Sequence, residues 1–496
     1  MAVAPTGGEA TLRKNSIGLL DVLFQSITFM APGVGLVFSL GGGLSFTGTT
    51  LPLSVIIALG GCTAAAIAIG QLAKEIPSAG GLYTYAARAL SPSWGFLIGW
   101  IYVGFAIFLP PFLILQGAVI FGGFLGAHGY PSNAYLIAGV LVAAFFFLTY
   151  FDVRLSARSG IILGLIEISV FVLLSFTLMK DGTNSTAPFL PSNSAQGYSG
   201  IFEGAVFGVL AFIGFEAAAA LGEEAKDPKR TVPVGVVASC VVIGLYYVLT
   251  SYAWNAGTDM NILGAKDNSW LGLAGSHWGN TGSWVVMLAL LNSVLAAGSA
   301  SINNAARVVY ALGRTGAMPG VGKVHPKHRT PHIAVIFTLV MSSIVSLFCW
   351  LKFPHEGALV AFVPATLFTI LAIFVYMISC VACIKYFTSG SGKARRNTLL
   401  HVVIPIVGLL AFVLPLYVQF FDLDKLFKGD IFKQGPSYFY PLTWGEWGAI
   451  IWMVIGAGVL AYFKSSRADQ LERATQIFGG EDSLGAGHAE ALSLTH

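Results

Sequence analysis

Long apolar runs alternate with short polar segments along most of this chain of 496 residues. A membrane-spanning helix needs about 20 predominantly apolar residues, and twelve runs meet or approach that length. The pattern therefore predicts an all-α polytopic membrane protein with twelve transmembrane helices. The predicted spans are 17–43, 49–73, 92–125, 134–150, 158–179, 201–223, 233–257, 284–313, 332–351, 357–386, 398–421 and 445–464.

The composition supports a bilayer as the solvent of this chain. Hydrophobic residues make up 55% and charged residues 10% of it, whereas soluble domains carry about a quarter charged residues. The longest predicted connections, 180–200, 258–283 and 422–444, are too short for a soluble domain, so function must lie within the membrane. The sequence shows no phosphate-binding glycine loop, zinc-ligand pair or nucleophile elbow. We therefore expect a transporter or channel, with no enzymatic activity, cofactor or bound metal.

Basic residues predict the orientation. With both ends inside, only six of the 27 lysines and arginines fall in outer loops, as the positive-inside rule requires. We expect a multi-pass protein of the cell membrane with cytoplasmic tails at 1–16 and 465–496. The net charge of +4 then reflects topology and indicates no nucleic-acid partner.

Two of the predicted spans contain residues that interrupt a helix. The first reads Ala31-Pro32-Gly33-Val34-Gly35, where proline removes an amide donor and the glycines weaken the helix. The sixth is interrupted at Gly214-Phe215-Glu216. Paired breaks indicate an inverted-repeat transporter site, because freed carbonyls attract a cation and freed amides an anion. An amino acid satisfies both, so the predicted substrate contacts are Ala31, Gly33, Val34, Gly35, Phe212, Ile213, Gly214 and Phe215, with core packing as the alternative for the two phenylalanines.

Three ordered blocks of sequence resemble the amino acid–polyamine–organocation superfamily of secondary transporters. They are 211–233, at the sixth span and following loop, 76–85, between spans two and three, and 307–319, at the exit of the eighth span. The resemblance implies a five-plus-five inverted repeat of the leucine-transporter type, with repeats at 17–179 and 201–386 joined by an outer loop at 180–200. It also implies two peripheral helices within 387–464 and alternating access, usually coupled to protons.

One departure from the family pattern concerns Glu167 in the fifth span. Several proton-coupled relatives carry a lysine at this position, so a carboxylate replaces an ammonium here. Removal from water favours the neutral form of a carboxyl group, which makes Glu167 a candidate proton carrier. Alternatively, the ionised group faces a cation or an amine-rich substrate, or the side chain only bonds a neighbouring helix.

Two further sets of polar residues are candidates for the transport cycle. Glu216 either neutralises freed amides at the sixth-span break, a structural role, or titrates during transport. In this fold class a cation can sit between the first and eighth spans, where Ser299 and Ser301 are the available hydroxyls, although serines also join helices. We favour protons over sodium because the resemblance places Glu167 near the equivalent region.

The sequence thus predicts a proton-coupled secondary transporter of amino acids or related amines, with a small-molecule substrate, protons and the lipid bilayer as partners. An amino acid exchanger and a carrier of polyamines or organic cations of the same fold remain open, as does a channel or receptor. Neither the substrate's side chain nor the oligomeric state follows from the sequence.

Overall fold

The structure is a computed structural model that describes residues 17–78, 80–151, 157–222, 224–258, 269–314, 320–323, 325, 331–421 and 441–466. The predicted tail at 1–16 and all but the first two residues of the tail at 465–496 lie outside the described residues. The predictions for these tails are therefore untested.

The described residues form a nearly all-helical protein. Seven short or irregular segments accompany the helices in the described residues: π turns at Gly35–Leu40 and Leu399–Val403, and 3₁₀ segments at Ala187–Phe189, Pro191–Asn193, Phe215–Leu221, Gly357–Ala361 and Lys393–Arg395. The helices are α1 (Leu19–Met30), α2 (Pro32–Val34), α3 (Gly41–Thr47), α4 (Leu51–Glu75), α5 (Leu82–Ala89), α6 (Pro92–Ala127), α7 (Ala134–Tyr150), α8 (Ala157–Asp181), α9 (Gly197–Phe212), α10 (Pro228–Gly257), α11 (Trp270–Arg314), α12 (His332–Lys352), α13 (Phe362–Thr388), α14 (Ile404–Val418) and α15 (Thr443–Ser466).

Eleven helical segments in the described part of the chain are long and apolar enough to cross a membrane. Two of them are interrupted: the first broken helix, Leu19–Thr47, and the second broken helix, Gly197–Leu221. Helix α7, at Ala134–Tyr150, is apolar but shorter than the other spans. The prediction of a polytopic helical membrane protein is confirmed, and a total of twelve spans depends on α7.

A helical segment precedes the predicted eighth span. Helix α11 begins at Trp270, within a segment predicted as a connection, and is divided by a kink at Gly279, where φ is 69°. The part after the kink begins within a few residues of the predicted start at 284. Across this bend the Ser283 hydroxyl donates to the Leu271 carbonyl oxygen at 2.9 Å. The polar residues around the bend interrupt the apolar pattern, so hydropathy alone begins the helix too late.

The two broken helices lie inside the bundle and are surrounded by other spans. Helix α4 packs along α10 and α9, and α6 packs along α11 and α13, while α1 contacts α8, α10 and α11. Helices α14 and α15 lie at the periphery, where Leu410, Ile451 and Val454 are exposed apolar side chains. Apolar exposure of this kind fits contact with lipid tails, and it leaves the interior to the broken helices.

Candidate functional site

The first broken helix is interrupted where proline and glycine predicted it. Helix α1 ends at Met30, and Ala31 adopts φ 47° and ψ 79°, the one non-glycine residue with positive φ in the described chain. Pro32 then begins the second half of the helix. This position suits proline, which lacks an N–H, because N–H groups in the first turn of a helix have no acceptor within the helix. The break therefore leaves the next amides without partners in their own helix.

Side chains from two other spans accept hydrogen bonds from these amides. The Gly33 N–H donates to Glu167 Oε1 at 2.7 Å, and the Val34 N–H donates to Ser293 Oγ at 3.0 Å. The start of the second half-helix is thus capped from outside by helices α8 and α11. The two amides that we expected to meet a substrate carboxylate are bonded to protein oxygens in this structure.

Glu167 lies at the centre of this contact between helices. Its side chain is 3% exposed, and its second oxygen, Oε2, accepts a hydrogen bond from Asn292 Nδ2 at 2.9 Å. No charged side chain in the described part of the chain acts on this carboxyl group. The groups that donate hydrogen bonds to Glu167 are therefore all neutral. Its burial is consistent with the expected removal of this carboxyl group from water.

The hydroxyl of α11 that reaches the first break is Ser293, not Ser299 or Ser301. Ser301 Oγ donates to the Gly298 carbonyl oxygen of its own helix at 2.9 Å, and Ser299 Oγ is buried without a hydrogen-bond partner among the described residues. The resemblance indicated that the eighth span contacts the first break, but not which residues of that span lie beside it. Asn292 and Ser293 are thus site residues that sequence reasoning missed.

The second broken helix is interrupted at Gly214, as predicted. Helix α9 ends at Phe212, Ile213 leaves the helical conformation with φ −56° and ψ 123°, and Gly214 has φ 122°. A β-carbon added at Gly214 would lie 2.4 Å from the Phe29 ring and 2.8 Å from the Met30 amide nitrogen. The two broken helices therefore cross in contact at their breaks, and only glycine fits at the crossing.

Glu216 stabilises the second break. Its Oε2 accepts hydrogen bonds from the Gly214 N–H and the Tyr376 hydroxyl, both at 3.0 Å. Ser26 of α1 adds a bridge, because its hydroxyl donates to the Phe215 carbonyl oxygen at 2.9 Å and accepts from the Ala218 N–H at 3.1 Å. These contacts favour the structural alternative for Glu216, in which the carboxylate holds freed amides.

A cavity of about 30 Å³ lies beside the two breaks. A cavity of this size has room for about two water molecules, so an amino acid enters only if the surrounding helices or side chains move. Ser39 is the one lining residue with a polar side chain. The lining residues are Phe29, Met30, Ala31, Val34, Gly35, Ser39, Leu109, Phe112, Leu113, Leu210, Ile213 and Ala297.

Four of the eight predicted contacts, Ala31, Val34, Gly35 and Ile213, line this cavity. Phe212 and Phe215 are fully buried, with ring centroids 5.5 Å from Tyr247 and 4.9 Å from Tyr376, respectively. These contacts favour core packing over a gate for both phenylalanines. The lining residues of α6, Leu109, Phe112 and Leu113, were missed because an apolar helix face in a membrane protein gives no sign of what it faces.

The described residues contain no group of three or more histidine, cysteine, aspartate or glutamate side chains that could hold a metal ion. The five cysteines are free and buried. The described site consists of backbone groups, apolar side chains and the polar side chains of Glu167, Glu216, Asn292 and Ser293.

The sequence is similar to known transport proteins along most of its length. The branched-chain amino acid permease BcaP of Bacillus subtilis is 28% identical over 73% of this chain and 81% of its own length. The low-affinity putrescine importer PlaP of Escherichia coli is 27% identical over the same shares. The serine/threonine exchanger SteT of Bacillus subtilis is 25% identical over 67% of this chain and 77% of its own length.

The family model for amino acid permeases matches residues 21–472. This match contains both broken helices, the cavity beside them and the three helices, α6, α8 and α11, that contribute side chains to the site. It agrees with the superfamily that the sequence blocks resemble. The chain belongs to the amino acid permease family.

Proposed function

We propose that this protein carries amino acids with apolar side chains across the membrane by alternating access. The observation that supports this most directly is the cavity beside the two breaks, where Ala31, Val34, Gly35 and Ile213 of the broken helices meet apolar side chains of α6. Main-chain polar groups at broken helices suit the carboxylate and ammonium of an amino acid. Leu109, Phe112 and Leu113 suit an aliphatic side chain.

The same lining argues against a polyamine as the main substrate. A diamine carries two cationic ends, and a buried cation needs a carboxylate or an equivalent partner. No carboxylate lines the cavity, and the carboxylate of Glu216 is bonded to Gly214 and Tyr376. An apolar amino acid therefore fits better, in keeping with the function of BcaP rather than that of PlaP.

We further propose protons rather than sodium as the coupling ion, with Glu167 as the carrier. The N–H groups of Gly33 and Asn292 both point at its carboxylate, and donors in this arrangement oppose a metal cation at the same oxygens. A proton binds to the carboxylate itself and needs no set of oxygen ligands. When α7 is counted as the fourth span, the two broken helices are the first and the sixth spans. Each is then the first helix of its repeat, which suits the five-plus-five repeat that the family resemblance implies.

Thermal stabilisation of the purified protein by a ligand panel tests the substrate class. A ligand that binds only the folded protein stabilises it, by about 2.7 kcal/mol at 100 times its Kd. We expect L-leucine, L-isoleucine and L-valine to raise the melting temperature, and L-lysine and putrescine to leave it unchanged. Stabilisation by putrescine without any by the aliphatic amino acids would support the polyamine carrier instead.

Net transport and exchange are the two modes that this site could support. Counterflow in proteoliposomes separates them, because an exchanger takes up labelled leucine only when unlabelled substrate is present inside. For a proton-coupled symporter we expect uptake into vesicles without internal substrate when the outside is more acidic. Uptake that depends entirely on internal substrate would assign the chain as an exchanger.

A further inference from the structure

A carboxylate of the protein occupies the position where an amino acid's carboxylate is expected. The first two N–H groups after Pro32, those of Gly33 and Val34, lie at the N-terminal end of a half-helix and have no acceptor within it. Such an end attracts anions. In this structure Glu167 Oε1 accepts from Gly33 at 2.7 Å, and Ser293 Oγ accepts from Val34 at 3.0 Å. The protein therefore supplies its own anion to the site.

We propose that Glu167 is an internal carboxylate that the substrate's carboxylate displaces from the first break, and that Glu167 takes up one proton as it leaves. This inference rests on the proposed amino acid transport and adds a mechanism of coupling to it. In the exchange, the Gly33 N–H changes acceptor from Glu167 Oε1 to a substrate oxygen, and a proton from solution joins the released carboxylate.

The charge balance of the buried site explains why a proton accompanies the exchange. Before substrate binding the site holds one carboxylate, and the entry of a second would place two like charges side by side away from water. Protonation of Glu167 removes this repulsion, because a carboxyl group that has lost a donor in an apolar setting favours its neutral form. The number of ionised carboxylates beside the first break then stays at one through binding.

The groups that face Glu167 offer no other compensation. From α11 they are Asn292 and Ser293, from the first broken helix the Gly33 amide, and from α10 the neutral hydroxyl groups of Tyr246 and Tyr247. No lysine, arginine or second acid within the described residues acts on the Glu167 carboxyl group. The substrate brings its own ammonium, which the proposed binding mode assigns to main-chain carbonyl groups at the breaks, so a proton from solution is the remaining source of positive charge at Glu167 itself.

Asn292 and Gly33 are positioning residues in this scheme. The Asn292 amide holds Glu167 Oε2 at 2.9 Å, which directs Oε1 toward the break. A β-carbon added at Gly33 would lie 3.1 Å from Glu167 Oε1 and 3.0 Å from the Phe171 ring. The absence of a side chain at Gly33 thus permits the close approach of the internal carboxylate.

The test counts protons bound per leucine bound. Purified full-length protein in a weakly buffered detergent solution near pH 7 is titrated with L-leucine, while a pH-indicator dye reports proton uptake and calorimetry reports binding. We expect about one proton per leucine for the wild type. For Glu167→Gln, whose amide oxygen still accepts from Gly33, we expect leucine binding without proton uptake.

Two variants on α11 distinguish positioning from general damage. Asn292→Ala should shift the pH profile of leucine affinity, because it removes a donor from Glu167. Asn304→Ala, on an exposed turn of the same helix, should leave both the proton count and the pH profile as in the wild type. A pH profile for Asn292→Ala that matches the wild type would exclude its positioning role.

The possible results separate this inference from the proposed function. Leucine binding by the wild type without proton uptake at pH 6, 7 and 8 would overturn the exchange but leave amino acid transport standing. Proton uptake that persists in Glu167→Gln would also overturn it. A wild type that binds none of the aliphatic amino acids would overturn the proposed substrate class, and the exchange with it.

Discussion

At the scale of single residues, two buried glutamates at the two breaks have different surroundings and different roles. Glu216 accepts from an amide of its own loop and from Tyr376, so it completes the second break. Glu167 reaches across to another broken helix. Both carboxylates stand out in the sequence because charged groups inside a membrane protein are rare, but the identity of their partners depends on packing.

Removal of the Tyr376 hydroxyl should destabilise the protein without changing the pH dependence of transport. Tyr376→Phe leaves Glu216 with one donor fewer in a buried position, which costs about 1–3 kcal/mol. The matched control is Tyr246→Phe, because the Tyr246 hydroxyl is buried without a partner among the described residues. We expect a lower melting temperature for Tyr376→Phe alone. An equal loss in both variants would show that the bond to Glu216 contributes little.

Residue types thus predicted which positions matter but not which atoms meet. Sequence periodicity places Glu167 in a span, and the family resemblance places that span near the first break. Neither gives the register between α8 and α11, so Asn292 and Ser293 were missed while Ser299 and Ser301 were chosen on the same helix. The relative height of two packed helices depends on many side-chain contacts at once, and one sequence does not encode it in a local pattern.

At the scale of elements, the two broken helices depend on each other. Local capping residues usually satisfy the first amides of a helix, whereas here Glu167 and Ser293 do so from other spans. In return, Ser26 of the first broken helix bridges the Phe215 carbonyl and the Ala218 amide of the second. Proline and glycine made both interruptions predictable, but caps that come from other helices leave no signal beside the break.

An alanine at the crossing of the broken helices should abolish transport. Gly214 has φ 122°, and its β-carbon would overlap the Phe29 ring and the backbone at Met30, so Gly214→Ala forces the two breaks apart. The control is Gly60→Ala in α4, where no atom lies within 4 Å of the added carbon. Because alanine favours helix over glycine by about 1 kcal/mol, we expect that variant to be as stable as the wild type or more so.

Leucine uptake by proteoliposomes and fluorescence-detected size-exclusion chromatography check this prediction together. Gly214→Ala should show no leucine uptake, and chromatography reports whether this variant still folds. Gly60→Ala should show wild-type uptake. Normal leucine uptake by Gly214→Ala would contradict the close contact between the breaks.

At the scale of the whole molecule, hydropathy predicted most of the fold. The apolar runs correspond to the long helices, except that α11 begins earlier and α7 is short for a span. The predicted fourth span, 134–150, has the same bounds as α7. Hydropathy misses the part of α11 before Gly279, because the polar residues around the kink interrupt the apolar pattern. The inverted repeat and the orientation of the termini are still predictions.

Cysteine labelling tests the orientation, because the five native cysteines are buried and should not react. Ser132 is exposed in the loop between α6 and α7, and Ser391 in the loop after α13, beside Lys393, Arg395 and Arg396. With α7 counted as a span, these loops follow the third and the tenth spans and are expected on opposite sides of the membrane. A membrane-impermeant maleimide added to intact expressing cells should label Ser132→Cys and not Ser391→Cys, as the positive-inside rule predicts. The reverse pattern would place the termini outside.

The most direct measurement of the central claim is L-leucine uptake by the purified protein in proteoliposomes, with and without an inward proton gradient and without sodium. The account predicts leucine accumulation that requires the gradient and that a protonophore abolishes. It also predicts that Glu167→Gln loses gradient-driven accumulation. Leucine uptake no greater than in protein-free liposomes, together with uptake of putrescine that leucine does not inhibit, would contradict the account.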